Sequence, residues 1–237
     1  MLGYHKNSSV YKKFKKSTPE SWIEKEGVIA KAFPINKDAL FPNEFELDKS
    51  LEQVSENFNK EGSSLSPFLN TGVMIDSKVY TIKTNPVYKG KEKVLKDILI
   101  NEKEVNDEFY LKNKDLKQWK YLKNSKQEER ETKDGFKYNY SEGSMVFPDN
   151  LAKASRTIIT GEGGSGPSRF KHVIAPHSDS RKLRRLTPVE LERLNMFPDG
   201  HTELENVSNS KRAFLMGNAL VVGVIKKLGD SLYKFYE

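Results

Sequence analysis

The residues of this chain best suited to chemistry cluster between positions 156 and 169. Gly161, Gly163 and Gly166 fall in the order G-x-G-x-x-G within the run GEGGSG, with Arg156 on one side and Arg169 on the other. Glycines at this density let a backbone approach a ligand closely. An arginine fork pairs with phosphate or with the O6/N7 edge of guanine. A dinucleotide site would need a helix directly after the glycines, so that its N-terminus meets the pyrophosphate. Here Pro167-Ser168-Arg169 leads into the extended-looking Phe170-Lys171-His172-Val173-Ile174, and no acidic residue ends a second strand at the right distance. The Gly-Lys-Ser/Thr ending of a P-loop is missing too. Both nucleotide readings fail, and a plain β-turn remains the structural alternative for the glycines.

Composition narrows the remaining chemistry. The chain has no cysteine, which excludes disulfides, thiolate metal sites and any cysteine nucleophile supplied by these 237 residues. Forty basic against 33 acidic residues give a net charge of +7 and a pI near 9.2. That balance fits a polyanionic partner without requiring one. Mean hydropathy of −0.70 implies a modest core and much solvated surface. No run of about eighteen apolar residues is present, and Met1–Phe14 lacks the apolar core of a signal peptide, so the expected location is cytoplasmic.

The elements that would position these residues are only partly legible. Thr18-Pro19-Glu20 starts a short helix through Trp22 and Ile23. Residues 40–66 are polar and aperiodic, as loops with a short helix. GVMIDSKVYTIK, from Gly72, predicts two strands around Asp76-Ser77. Val94–Ile100 reads as a short helical or extended stretch. Between 111 and 140, lysines alternate with Trp119, Tyr121, Phe136, Tyr138 and Tyr140. This is either a solvated face with lysine stems over apolar surface or a phosphate-contacting surface. Ser155–Thr160 predicts a buried strand rich in β-branched residues, with a second at Phe170–Ile174. Thr187 is an N-cap with Pro188 at N1 and Glu190 at N3, a capping box, with Leu186 and Leu191 as its apolar staple. Phe197-Pro198 ends that helix. A longer helix is expected from Asn218 to Tyr236, with Val221, Ile225, Leu228, Leu232 and Phe235 on one stripe that must be covered by something.

Taken in order, Arg156–Thr160, the glycine loop, Arg184-Arg185-Leu186-Thr187-Pro188-Val189-Glu190-Leu191, Arg193-Leu194, Phe197-Pro198-Asp199 and Met216-Gly217-Asn218-Ala219-Leu220-Val221-Val222 closely resemble the end of the cytosine-C5 DNA methyltransferases. That family carries R-x-L-T-P-x-E-x-x-R-L-x-G-F-P-D followed by G-N-A/S-V-x-V. The match covers roughly residues 155–228, and one departure is Met196, where the family usually has glycine. Met1-Leu2-Gly3-Tyr4 resembles the strand that follows the family's Q-R-R motif.

The resemblance implies base flipping, a cysteine thiolate adding to C6 of the target cytosine, and methyl transfer from S-adenosylmethionine to C5. The family's cysteine, glutamate and cofactor loop lie upstream of Q-R-R, so a partner subunit would have to supply them and most of the cofactor contacts. The implied fold is α+β: a mixed, β-rich target-recognition domain, plus a C-terminal helix that completes the α/β methyltransferase domain of a partner. The implied division is residues 1–39 as the end of a catalytic-region strand and connector, 40–180 as the recognition region, and 181–237 as the returning motifs and helix.

By the same resemblance, Arg156, Thr157, Ile158, Gly161, Gly163, Gly164 and Arg169 belong to a loop facing double-stranded DNA. Arg169 is a base reader, a phosphate contact or a surface ion pair. Asn218, Ala219 and Leu220 are expected at the cofactor edge, with helix capping the alternative for Asn218. Arg184 and Arg185 are phosphate contacts or structural ion pairs. No catalytic residue or metal ligand is expected in the chain. The function implied is the recognition part of a split methyltransferase, of the kind found in restriction–modification systems. The alternatives are an inactive truncated product or a stand-alone DNA-binding module.

Overall fold

The computed structural model describes residues 6–37, 42–47, 50, 68–176 and 182–234. The chain forms two compact units, residues 1–90 with 224–237, and residues 91–223. The expected strand at residues 1–4, the expected helix within 40–66 and Phe235 lie outside the described residues or largely so.

The first unit opens with short helices, Ser9–Phe14 and Pro19–Ser21. Ser8 and Thr18 accept from the N–H groups of Tyr11 and Ser21 as N-caps. A π-turn, Trp22–Glu26, and the helix Val28–Ala32 follow. The expected hairpin forms: β3 (Thr71–Ile75) pairs antiparallel with β4 (Lys78–Ile82). Its turn residues Asp76 and Ser77 have φ of 45° and 67°, the left-handed pair that a tight hairpin requires. β2 (Asn43–Glu46) adds on the other edge of β4, and β1 (Ile35–Lys37) pairs with β5 (Thr84–Pro86). The core here is Val10, Trp22 and Val28, with Phe14, Val73 and Leu232 packed against it.

The second unit contains a 3₁₀ turn, Leu95–Ile98, the helix Leu116–Lys123, and a two-stranded ribbon of β6 (Lys126–Glu131) and β7 (Lys137–Glu142). β8 (Val173–Ile174) pairs with β9 (Arg184–Arg185). The capping-box helix Pro188–Leu194 and the helix Asn209–Asn218 complete the unit. Leu95, Ile98, Ile174, Leu186, Leu191, Ala213 and Met216 form its core. Thr187 and Glu190 make both capping-box bonds, and the staple residues Leu186 and Leu191 are buried.

Three sequence expectations are corrected. Ser155–Thr160 is not a strand but irregular backbone. Its β-branched side chains are used singly, Ile158 against the core and Thr157 outward. Of the second expected strand only Val173–Ile174 forms, because Arg156 takes the carbonyls of Phe170 and Lys171. The final helix does not start at Asn218. That residue ends the Asn209–Asn218 helix, Ala219 caps it, and the last helix runs Val222–Tyr233.

The C-terminal part of that last helix is also not left for a partner. Ser231 Oγ donates to the Val28 carbonyl at 2.7 Å and is buried, and Leu232 joins the first unit's core. Val224 and Ile225 are exposed. Among the described residues no helix is long and apolar enough to cross a membrane.

Candidate nucleic-acid interface

The R-x-L-T-P-x-E segment is a keystone rather than a surface. Arg184 is fully buried and donates Nη1 to Glu190 Oε2 at 2.9 Å, Nη2 to Glu190 Oε1 at 2.8 Å, and Nε and Nη2 to Glu102. Glu190, also fully buried, accepts from the N–H groups of Thr187 and Ile100. Burial disfavours the Arg184 cation, but the two carboxylates outweigh it and raise its pKa above the ordinary value. A second network joins Glu192, Thr202 and Arg212, with Gly200 N–H bound to Glu192 at 2.7 Å. Burial pushes the Glu192 carboxyl up, yet these donors hold it below the usual range. Of the two readings of Arg184, the structure takes the ion pair.

Behind this keystone sits the glycine loop. Arg185 is buried and points its Nη1 at the carbonyls of Gly163 and Gly164, both at 3.2 Å, and its Nη2 at the Glu108 carbonyl, 2.6 Å away. Lys171 Nζ donates to the carbonyls of Gly164 and Gly166, each at 2.7 Å. Lys123 Nζ donates to the Lys171 carbonyl. Lys123, Lys171 and Arg185 are 1%, 6% and 4% exposed, and among the described residues none of them has a carboxylate within ion-pair distance. Burial lowers the pKa of all three. Lys123 falls to about 8, with Arg156 adding repulsion, and Arg185 adds to the depression of Lys171.

The loop's one acid is turned inward. Glu162 is 2% exposed, accepts from His172 Nδ1 at 2.8 Å and from the His172 backbone N–H at 3.0 Å. In this pair the ring N–H donates and the carboxylate accepts. Ser155 Oγ lies 3.0 Å from the other ring nitrogen.

The glycines have specific reasons to be glycine. A Cβ at Gly163 would lie 2.6 Å from Ser210 Cα, and one at Gly217 would lie 2.4 Å from Thr160 Cα. The loop backbone therefore lies directly on the Asn209–Asn218 helix. Gly164 touches Lys171 Nζ, whereas a Cβ at Gly166 would meet open space.

The sequence-derived residues divide accordingly. Thr157 and Gly161 are exposed, and Gly163 and Gly164 are half-buried in the loop. Ile158 packs on the core. Arg156 forms a bidentate pair with Asp149 at 2.7 and 3.1 Å. Burial raises the Asp149 carboxyl, but the Arg156 fork and the Val173 N–H hold it below its ordinary pKa.

Arg169 donates to the carbonyls of Leu122 at 2.9 Å, Asn124 at 3.1 Å and Gly143, and pairs with Glu142 at 3.2 Å. It ties the end of the glycine loop to the open end of the β6–β7 ribbon, where the chain enters β6 and leaves β7. Asn218 and Leu220 are exposed, with Asn218 Nδ2 donating to the Phe214 carbonyl at 3.2 Å and Ala219 half-buried between them.

Sequence reasoning missed Lys123, Lys171, Arg185, Glu162 and His172 as loop supports. Nothing in a lysine's local sequence signals that it is buried.

The sequence model of the C-5 cytosine-specific DNA methylase family matches residues 13–234. The chain is 35% identical over 238 residues to the Type II methyltransferase M.Sau3AI of Staphylococcus aureus. That alignment covers 99% of this chain and 53% of the relative, so the chain spans about half the length of the curated relative it matches. No solved structure matches. The chain belongs to the C-5 cytosine-specific DNA methylase family.

Proposed function

We propose that this chain supplies the DNA-recognition half of a DNA (cytosine-5)-methyltransferase of a restriction–modification system. Its substrate is double-stranded DNA and its methyl donor is S-adenosylmethionine. The observation that carries the reading is a family match over residues 13–234 in a chain with no cysteine. The family's thiolate chemistry must then come from another polypeptide segment, which the proposal takes to be a partner chain. The restriction–modification role rests on the name of the Staphylococcus aureus relative.

In this reading the glycine loop of the 91–223 unit faces DNA. Thr157 and Gly161 lie on the exposed side, while Arg156, Ile158, Gly163, Gly164 and Arg169 hold the loop in shape. At the cofactor edge, Asn218 at the end of its helix and Leu220 just beyond it expose an amide and an apolar side chain, with Ala219 half-buried between them. Those groups suit one edge of an adenosine-like ligand, and the partner makes the remaining contacts. S-adenosylmethionine, when bound, supplies the methyl group. The exposed Val224 and Ile225 face of the last helix is where the partner's catalytic region packs.

The test is reconstitution. Labelled methyl transfer from S-adenosylmethionine to duplex DNA is measured with the chain alone, with a polypeptide carrying the upstream family segments alone, and with both. Transfer only in the mixture is expected. Transfer by this chain alone, or no dependence on it, overturns the proposal.

A further inference from the structure

The glycine loop sorts its groups by charge. Its acid, Glu162, is turned inward onto His172. Its supporting cations, Lys123, Lys171 and Arg185, are buried and spent on backbone carbonyls rather than carboxylates. From Ile158 to Ser168 there is no lysine or arginine. The exposed groups at the loop are therefore small and neutral: Thr160, Gly161, Ser165 and Gly166.

A loop built to neutralise phosphate would expose cations. A loop built to meet base edges exposes compact hydrogen-bonding groups with little bulk around them. The buried cations leave positive potential behind those groups, which draws the polyanion in without discriminating among sequences.

The captured carbonyls also fix the direction of the backbone donors. In a trans peptide the N–H points opposite to the preceding C=O. The Gly164 carbonyl faces Lys171 and Arg185, so the Ser165 N–H faces away from them. Lys171 also holds the Gly166 carbonyl, but the residue after it is Pro167, which has no N–H, so of the two peptides that Lys171 holds only Gly164–Ser165 presents a donor. We infer that Ser165 reads a base edge with its exposed hydroxyl and its outward-facing N–H, with Lys171 and Arg185 as positioning residues that present it. This inference rests on the proposed DNA-recognition role of the chain.

The test uses the assembled enzyme, this chain with a polypeptide carrying the upstream segments, on a library of random-sequence duplexes scored for methylation by sequencing. Ser165→Ala is expected to relax discrimination at one base-pair position by about 10-fold while leaving the others unchanged. Lys171→Met should relax that same position, and Lys171→Arg, which keeps a cation facing the two carbonyls, should restore it. A purely structural Lys171 would lower activity on all sequences and leave the profile intact. If Ser165→Ala lowers methylation equally on every sequence, or changes nothing, the inference falls. If the unsubstituted assembly methylates no duplex, the recognition role itself fails, and the two failures are distinguished by that control.

Discussion

Replacing Lys123 by methionine should stabilise the 91–223 unit near neutral pH, although it deletes a hydrogen bond. Lys123 is 1% exposed, and burial holds its pKa at about 8 instead of 10.5. That drop corresponds to about 3 kcal/mol of cost for carrying the charge in the folded state. The cost is present in full below about pH 8, where both folded and unfolded forms are protonated. Between about 8 and 10.5 the unfolded chain binds the proton more tightly than the folded one. Stability therefore rises with pH across that window. Against this, methionine loses one hydrogen bond, roughly 1 kcal/mol. The Lys171 carbonyl is not orphaned, because Arg156 Nη2 still donates to it at 3.2 Å. Methionine also keeps most of the apolar stem. The net expectation is about 2 kcal/mol of added stability at pH 7. Urea unfolding followed by fluorescence of Trp119, which is buried one turn earlier on the same helix, in a Trp22→Phe background, measures it. A variant less stable than its parent at pH 7, or one with the same stability gain between pH 8 and 10, would refute the reasoning.

Three further outcomes follow from the keystone and the turn geometry. Met196 has φ of 62° where the family usually has glycine, so Met196→Gly should gain about 1 kcal/mol in urea unfolding; no gain would mean that Met196 packing over Gly223 outweighs the strain. Glu190→Ala should cost about 3–5 kcal/mol by leaving Arg184 buried without its main partner, and an unchanged unfolding midpoint would show the ion pair to be irrelevant. Gly217→Ala places a Cβ 2.4 Å from Thr160 Cα and should cost about 2 kcal/mol or more, whereas Gly143→Ala, with open space around it, should be near neutral; equal effects would contradict the loop-on-helix packing.

The sequence made some elements legible and hid others for identifiable reasons. The Gly72–Ile82 hairpin and the Thr187 capping box were readable because turn chemistry and capping are local rules, written in consecutive residues. The Asn209–Asn218 helix was missed because Phe214 and Leu215 fall on its exposed side while Arg212, Ala213 and Met216 are buried, so no apolar stripe marks it. The β6–β7 ribbon was missed because KQEERE and KYNYSE have no apolar face to alternate. Arg156 and Arg169 flank the glycine loop in sequence, but their partners, Asp149 and the carbonyls of Leu122, Asn124 and Gly143, come from other segments. An arginine's type gives its geometry, not its partner. The family motifs were legible as motifs, while their job as a buried network joining Glu102, Arg184 and Glu190 needed the third dimension.

The central claim is that this chain chooses the DNA while another segment performs the bond-making. It is tested most directly by trapping the reaction on duplexes that carry 5-fluorocytosine. Fluorine at C5 cannot leave as a proton, so the sulfur–C6 bond persists through denaturing electrophoresis. With the reconstituted mixture, labelled DNA should migrate with the polypeptide carrying the upstream segments and none with this chain, and trapping should require this chain to be present. DNA covalently attached to this chain, or trapping that proceeds equally well without it, would contradict the account.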